Sequence, residues 1–513
     1  MDPIELSIFA SRLEAVCDEM GIVLRNAAFS PNIRDRLDFS CAVFDARGEL
    51  CAQAAHIPVH LGSMAYAMAQ IISRVDWEAG DMVVLNDPYL GGTHLPDVTL
   101  IAPLYHQGRL TAFVVNRAHH ADIGAQTPGS MPVSRSLDEE GRVIALEKLV
   151  QNGHIRASLL KQITRHNRNP NESEGDFAAQ ISANRSGLER LGNLVDEWGR
   201  EGFLAGLGAL NDYAERLSAQ ALQQIPPGSY HFEDLMDDDG QGNRDIPIRV
   251  KLEVTAEQVV VDFSGTADQV SGNINCPLSV AAAAVYYVFR CLMPPQTPAC
   301  AGSFRRIRLY APEGSLLNAC RPAAVAAGNV ETSTRVVDVM LGALAQAIPE
   351  AIAAASQGSM NNLAMGSDRP GMRWDYYETI GGGMGAGARG GGQSGVQTHM
   401  TNTLNTPIEV IEARFPLRIV EYALRADSAG AGQRAGGSGV IRRYEFLAPT
   451  QVTLLTERRR HRPWGIAGGY CGAAGVNRLN DQVLPPKVRF DVEPGDRLSV
   501  ETPGGGGWGK CGE

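Results

Sequence analysis

Two histidines and an aspartate stand where a β-hairpin would bring them together. His94 and Asp97 lie in the stretch NDPYLGGTHLPDVTL (86–100), and His119 lies in the stretch NRAHHAD (116–122). Imidazole nitrogens and a carboxylate oxygen are ligands for zinc, iron or manganese, and three protein ligands leave coordination positions open for water or substrate. The residue types therefore indicate a divalent metal site or, alternatively, a hydrogen-bonded histidine cluster at the base of a hairpin.

The strands of this hairpin are predicted from the hydrophobic pattern. The segments VTLIAPLY and LTAFVVNR are rich in β-branched and aromatic residues, and HQGR (106–109) separates them. If residues 106–109 form a four-residue loop, Pro96 pairs with His119. Directly opposed residues have Cβ atoms about 4.5–5.5 Å apart, so this register brings His119 close to His94 and Asp97. A slip of one residue would change which side chains point inward.

Other polar residues have two interpretations each. Asp38 directly precedes the segment FSCAVFD. It either caps the local backbone or forms a surface ion pair, or it completes the ligand shell of the metal. His120 and Asp122 either orient the metal ligands or face solvent. His56 and His60 flank a proline in HIPVHLG, and we interpret them as a core hydrogen-bonding group and a residue near a helix start.

Hydrophobic periodicity predicts the elements that position these residues. Helices are predicted at 2–28, 60–75 and 277–292 and through much of 155–224. Strands are predicted at 39–45 and 81–87, and a further strand is predicted directly after the turn DARGEL, which follows the first of them. The low-complexity segment GGGMGAGARGGGQSG (381–395) is interpreted as a flexible connection, or as a backbone surface that lies against a partner or substrate.

The chain has 513 residues, which is too long for one hydrophobic core. We predict an α+β fold with a mixed multi-subdomain architecture and a β-hairpin-based metal site in the N-terminal half. The predicted parts are a metal-site domain with a helical C-terminal part (1–225), an α/β middle domain (226–400) and a β-rich, glycine-containing C-terminal region (401–513).

The bulk composition excludes several functions. A formal net charge of −11 argues against nucleic acid or an anionic membrane as the main partner. No run reaches about 18 apolar residues, so no transmembrane helix is predicted. Nine cysteines without a CxxC pair, and an N-terminus without signal-peptide features, favour reduced thiols and a cytoplasmic location. The sequence contains no Walker A loop, so we expect ATP to be bound elsewhere.

The sequence resembles the hydantoinase B/oxoprolinase family. The matching stretches are spread through nearly the whole chain and include RDRLDFSCAVFD, QAAHIPVHLGSM, NDPYLGGTHLPDVTL, NRAHHADIGAQTPGSMP, DFSGTADQVSGNINCP, AAGNVETSTRVVDVM, THMTNTLNTPIEVIE and TPGGGGWG. Acetone and acetophenone carboxylase subunits are related to the same family.

The resemblance implies the B-type subunit of an ATP-dependent hydantoinase, 5-oxoprolinase or lactamase. In that scheme a hydantoinase A-like partner subunit binds ATP-Mg and phosphorylates the carbonyl oxygen of a small cyclic amide. The B-type subunit holds zinc, iron or manganese, and a water bound to the metal opens the ring. The expected assembly is a hetero-oligomer. A ketone carboxylase subunit and a non-catalytic scaffold for the A-type subunit remain alternatives.

The resemblance also implies roles for individual residues. His94, Asp97 and His119 are the expected metal ligands, and Asp38 is the expected fourth. If Asp38 is not a ligand, it is a candidate general base for the water. His120 is a candidate for orienting a ligand or the water.

Overall fold

The computed structural model describes residues 1–54 and 57–511 and shows the predicted mixture of helices with several β-sheets. The helices in this part of the chain are α1 (Pro3–Ala27), α2 (Pro31–Arg34), α3 (His60–Ile71), α4 (Ala157–Thr164), α5 (Pro170–Trp198), α6 (Arg200–Leu222), α7 (Leu278–Leu292), α8 (Ser333–Leu344) and α9 (Ile408–Arg414). None of these helices is long and apolar enough to cross a membrane.

The strands form four sheets. Their bounds are β1 (Phe39–Asp45), β2 (Leu50–Ala54), β3 (Met82–Leu85), β4 (Asp97–His106), β5 (Arg109–His119), β6 (Glu147–Gln151), β7 (His154–Ile155), β8 (Gly228–Asp238), β9 (Arg244–Val254), β10 (Val259–Asp262), β11 (Ile307–Tyr310), β12 (Asn362–Ser367), β13 (Trp374–Glu378), β14 (Leu417–Leu424), β15 (Val440–Phe446), β16 (Thr450–Leu455), β17 (Val476–Leu479), β18 (Gln482–Val483), β19 (Lys487–Val492) and β20 (Arg497–Glu501). The sheet orders are β2-β1-β5-β4-β3-β6-β7, β11-β10-β9-β8, β13-β12-β16-β19 and β14-β15-β20-β17-β18.

The first sheet is covered on both faces, and β4 and β5 lie near its centre. Alternate residues of a strand face opposite sides of a sheet. Val98 and Leu100 therefore pack with α1 and α5 on one face. Ile101 and Val115 pack with Met64 of α3 on the other face. This alternation decides on which side of the sheet each polar residue at the strand ends lies.

The N-terminal helix begins where the sequence predicts. Asp2 accepts hydrogen bonds from the backbone amides of Ile4 and Glu5, and the Glu5 side chain accepts one from the Asp2 amide. This reciprocal arrangement is a capping box, and Pro3 occupies the first helical position, where its missing N–H costs nothing. The buried face of α1 then packs against α5.

The hairpin differs from the predicted loop in one respect. Gln107 and Gly108 alone form the turn, both with positive φ (50° and 72°), so the prediction of a four-residue loop is wrong. Leu104 pairs with Ala112 while Tyr105 pairs with Leu110, which leaves Thr111 as an extra residue. This bulge shifts the register by one residue along the rest of the hairpin.

The remaining sheets surround two further cores. The second sheet packs with α7 and α8 in a core that also includes Ile57 and Leu455, and the third and fourth sheets share another core. Buried residues from all three predicted parts therefore meet in one cluster, and the exact division of the chain stays a prediction.

The first part of the glycine-rich segment is packed rather than extended over the surface. A Cβ on Gly383 would lie 2.0 Å from the carbonyl oxygen of Gly437, and one on Gly385 would lie 1.8 Å from that of Ala354. Only a residue without a side chain allows backbones to approach so closely. This part of the segment is therefore a buried structural element, contrary to its interpretation as a flexible connection.

Candidate metal centre

Three predicted ligands converge in the interior. One ligand atom each from His94, Asp97 and His119 lies within 4.8 Å of the others, and all three side chains are buried. The Nε2 atom of His94 is 3.3 Å from Oδ2 of Asp97, and the centroids of the two imidazole rings are 5.0 Å apart. Two imidazoles and a carboxylate with this spacing are a set of donors that a divalent transition metal prefers.

The hairpin register brings two of these residues together. Asp97 begins β4, His119 ends β5, and the bulge makes them direct partners, where the predicted register would have paired Pro96 with His119. Alternation along the strands places Asp97 on the same face as Ile101, and His119 on the same face as Val115. Both side chains therefore lie on the α3 side of the sheet.

The loop before β4 carries the third residue. The Asn86 side chain holds this loop by donating to the carbonyl of Leu95 (2.8 Å) and accepting from the amide of Ile144 (2.7 Å). Gly91 has a φ of 81° and packs directly against α3. The Thr93 hydroxyl donates to Oδ2 of Asp97, which fixes that carboxylate.

The three residues border a small cavity of about 20 Å³, which has room for a water molecule but not for a cyclic amide. Its wall combines carboxylate, imidazole, amide and hydroxyl groups with apolar side chains. The lining residues are Asp38, Ile57, Val59, His60, His94, Asp97, His119, Asn329, Val330, Met360, Tyr377, Thr379, Met400, Thr401 and Thr403.

Several atoms that face this site make no hydrogen bonds. Within the described part of the chain, Nε2 of His94, Nε2 of His119 and Oδ1 of Asp97 are buried without a hydrogen-bond partner. Buried polar atoms in folded proteins nearly always have one. Two ring nitrogens and a carboxylate oxygen without partners are the donor set of a cation once the nitrogens carry no proton, so the residues fit a divalent metal.

The charge states at the site follow from burial and from neighbouring groups. Burial would raise the pKa of Asp97, but His94 and His60 outweigh it and hold that pKa well below its usual range. Burial, together with the positive charge of His94, lowers the pKa of His119 well below its usual range. Asp97 is therefore ionised and His119 neutral, as metal coordination requires.

His60 is closer to the site than the sequence interpretation suggested. It does begin α3, as expected, and its Nδ1 atom is 3.0 Å from Oγ of Ser40. Its Nε2 atom, however, is 3.5 Å from Oδ2 of Asp97, and the residue borders the cavity. A single histidine at the start of a helix carries no local signal of this contact.

Three further residues at the site were not identified from the sequence. Asn329, in a π-helical turn before α8, donates to Oδ2 of Asp97 (3.4 Å). The ring of Tyr377 stacks on His119 with centroids 4.9 Å apart. The amide nitrogen of Asn32 is 3.1 Å from Nδ1 of His119.

Asp38 borders the same cavity but lies outside the group of three convergent ligand atoms. Its backbone carbonyl accepts from the amide of His119 (2.9 Å), and a nitrogen of Arg36 is 3.8 Å from its carboxylate. Burial raises the pKa of this carboxyl group. Its role as fourth ligand or general base stays a prediction.

His120 lies on the opposite face of the sheet, because it directly follows His119. Its Nε2 atom is 2.9 Å from Oε1 of Gln180, and its ring lies against Phe177 of α5. It does not border the cavity, so any effect on the metal would pass through the end of β5. Asp122 holds a loop by accepting from the amide of Arg168 (2.6 Å).

His56 lies outside the described residues, and its expected hydrogen bond in the core therefore stays a prediction.

The chain belongs to the hydantoinase B/oxoprolinase family, whose family model matches residues 2–511. A protein of Methanocaldococcus jannaschii is 40% identical over 99% of this chain and 91% of its own length. The 5-oxoprolinase of Dictyostelium discoideum is 37% identical over 99% of this chain, which spans 40% of that enzyme. The resemblance found in the sequence motifs is thus confirmed.

Solved structures agree with this assignment. The ATP-dependent caprolactamase from Pseudomonas jessenii superposes with a TM-score of 0.92 at 26% identity, covering 99% of this chain and 91% of that chain. Acetone carboxylase superposes with a TM-score of 0.88 at 17% identity, covering 99% and 76%, which shows a shared fold. The homologues of this chain therefore include ATP-dependent cyclic amide hydrolases.

Proposed function

We propose that this chain is the metal-binding B-type subunit of an ATP-dependent hydrolase that opens a small cyclic amide such as hydantoin, 5-oxoproline or a related lactam. One observation carries the proposal: His94, Asp97 and His119 each offer a ligand atom within 4.8 Å of the others, and each has a buried polar atom without a hydrogen-bond partner. A pure scaffold has no need for such a group, because each unpartnered buried polar atom costs stability.

The proposal divides the reaction between two subunits. The 5-oxoprolinases matched by this chain are more than twice as long as the matched region, since the chain spans only 40% of the enzyme from Dictyostelium discoideum. The described residues contain no nucleotide-binding loop of the Walker type. We therefore assign ATP-Mg binding and carbonyl phosphorylation to a hydantoinase A-like partner.

The chemistry follows from the stability of an amide. Phosphorylation of the carbonyl oxygen removes the resonance that protects the ring and turns that oxygen into a leaving group. Water then adds to the carbonyl carbon, and the carbon–nitrogen bond breaks as the nitrogen leaves with a proton, which opens the ring and leaves an acyl phosphate. A second water hydrolyses the acyl phosphate to a carboxylate and free phosphate. A metal held by His94, Asp97 and His119 would supply Lewis acidity that lowers the pKa of water.

The protein residues around the cavity have separate tasks in this scheme. His94, Asp97 and His119 hold the metal, and Asp38 either completes its ligands or accepts a proton from the attacking water. Apolar residues such as Met400 limit the entry of bulk water. Since the cavity is too small for a cyclic amide, part of its wall must move when substrate enters.

The test combines the chain with an A-type subunit and measures ADP and ring-opened product from 5-oxoproline, hydantoin and caprolactam. We expect one of these amides to be hydrolysed, and His94→Ala to abolish product formation. The matched control is His154→Ala, because His154 is exposed on β7 and remote from the cavity.

Two other results would redirect the proposal. Carboxylation of acetone with bicarbonate, in place of amide hydrolysis, would favour the ketone carboxylase alternative that the shared fold permits. Full amide hydrolysis by His94→Ala would leave this chain as a scaffold for the A-type subunit.

A further inference from the structure

We infer that Asn32 controls metal uptake by holding His119 in the tautomer whose proton lies on Nε2, so that a cation binds only after the Asn32 amide turns. The inference rests on the proposed function, since it concerns the same metal site. It assigns a positioning role to a buried residue of α2 that is no ligand itself.

The orientation of the Asn32 amide is set by Arg36. A nitrogen of the Arg36 guanidinium is 3.3 Å from Oδ1 of Asn32. Arginine can only donate hydrogen bonds, so the atom it faces must be the amide oxygen. Arg36 is itself held by the carbonyl of Tyr377 (2.9 Å) and the hydroxyl of Thr379 (3.3 Å), and it is fully buried.

The orientation of the amide then determines the tautomer of His119. The remaining amide atom of Asn32, its NH₂ group, lies 3.1 Å from Nδ1 of His119. An NH₂ group only donates, so Nδ1 must accept and carries no proton. An imidazole ring holds at least one proton, which leaves it on Nε2, the atom that faces the site.

The neighbouring ligand shows the opposite arrangement. Nδ1 of His94 is 3.3 Å from the carbonyl oxygen of Ala326. A carbonyl only accepts, so Nδ1 of His94 carries a proton, and Nε2, which is 3.3 Å from Oδ2 of Asp97, is the nitrogen that would bind a metal. His94 therefore already has its proton on Nδ1, as coordination through Nε2 requires, whereas Nδ1 of His119 has none.

Coordination by His119 through Nε2 requires its proton to move to Nδ1. A proton on Nδ1 would face the NH₂ group of Asn32, and two donors would be in contact. The Asn32 amide must therefore turn by about 180°. The turned amide would present its NH₂ group to Arg36, and two donors would face each other. Metal uptake is thereby coupled to a rearrangement of Asn32 and Arg36, which are both buried.

The substitution Asn32→Asp removes this conflict without changing the size of the side chain. A carboxylate accepts from Arg36 and from Nδ1–H of His119 at the same time. It therefore favours the tautomer with a free Nε2. A carboxylate that orients a metal-bound histidine in this way changes affinity by about 10- to 100-fold.

The direct test is a ¹H–¹⁵N correlation spectrum of metal-free protein labelled at histidine, which distinguishes the two tautomers. We expect the Nε2–H form of His119 in the wild type and the Nδ1–H form in Asn32→Asp. His94 serves as an internal control in the Nδ1–H form, and His119→Gln identifies the signals. Competition with a chromophoric chelator should show zinc bound at least about tenfold more tightly by Asn32→Asp.

Other outcomes would overturn the inference. An Nδ1–H signal for His119 in the wild type would contradict the tautomer assignment. A gain in affinity without a change of tautomer would be the electrostatic effect of an added charge. Equal zinc affinity in both proteins would refute the role of Asn32 and leave the proposed metal site standing, whereas no zinc in either protein would refute both.

Discussion

Replacing Gly91 by alanine should displace the loop that carries His94 and leads into Asp97, two of the three proposed ligands. Gly91 has a φ of 81°, and a Cβ built on it lies 2.3 Å from Cα and 2.5 Å from N of Ala67 in α3. Carbon atoms in ordinary contact are about 3.5–4.0 Å apart, so the loop must move away from α3 by roughly 1 Å.

The magnitude has two parts. A positive φ costs a residue with a side chain about 1–2 kcal/mol, and overpacking adds about 1–3 kcal/mol, which gives a loss of about 2–5 kcal/mol in stability. Metal sites tolerate deviations of only about 0.2 Å in ligand distance. A shift of roughly 1 Å at His94 should therefore reduce metal affinity by about 100-fold.

Gly108→Ala is the matched control, because Gly108 is also a glycine with positive φ and lies in the turn between β4 and β5, the strands that carry Asp97 and His119. Its φ is 72°, and no described atom lies within 4 Å of the position that a Cβ would take there. It should lose only the backbone contribution of about 1–2 kcal/mol and retain the metal. The assay compares thermal unfolding and chelator competition for both variants. Equal metal affinity in Gly91→Ala and Gly108→Ala would refute the idea that the contact with α3 positions the ligands.

Two further predictions concern acid stability and nucleotide use. Burial raises the pKa of Glu140 from 4.5 to about 7, so the folded chain holds a proton that the unfolded chain releases. This contributes about 3 kcal/mol of stability below about pH 4.5, which is lost as the pH rises through 7, and Glu140→Gln should flatten the dependence of Tm between about pH 5 and about pH 8. If the dependence of Tm on pH were unchanged in Glu140→Gln, the raised pKa of Glu140 would be contradicted. The purified chain alone should not hydrolyse ATP, and phosphate release without an A-type subunit would refute the division of labour.

The sequence predicted the hairpin and the convergence of His94, Asp97 and His119, but not the hairpin register. Strand-forming residues on both sides of a short polar segment were sufficient to locate β4 and β5. Thr111 is an extra residue in β5, and no residue type marks a bulge of this kind. Pairing of Asp97 with His119 therefore depended on a detail that hydrophobic alternation does not contain.

The rest of the site is assembled from distant parts of the chain. Asn329 and Tyr377 reach the cavity from positions more than 200 residues beyond His119, and their roles depend on tertiary packing. Single buried amides and tyrosines have no spacing that distinguishes them from ordinary core residues. The glycine-rich segment was similarly ambiguous, because glycine suits both flexible connections and close backbone packing.

The metal content of the purified chain tests the central claim most directly. We predict about one zinc, iron or manganese ion per chain in the wild type and none in His94→Ala or His119→Ala, with unchanged circular dichroism in all three proteins. Metal retained in both variants, or no metal in the wild type after reconstitution with each of the three ions, would contradict the proposed metal site.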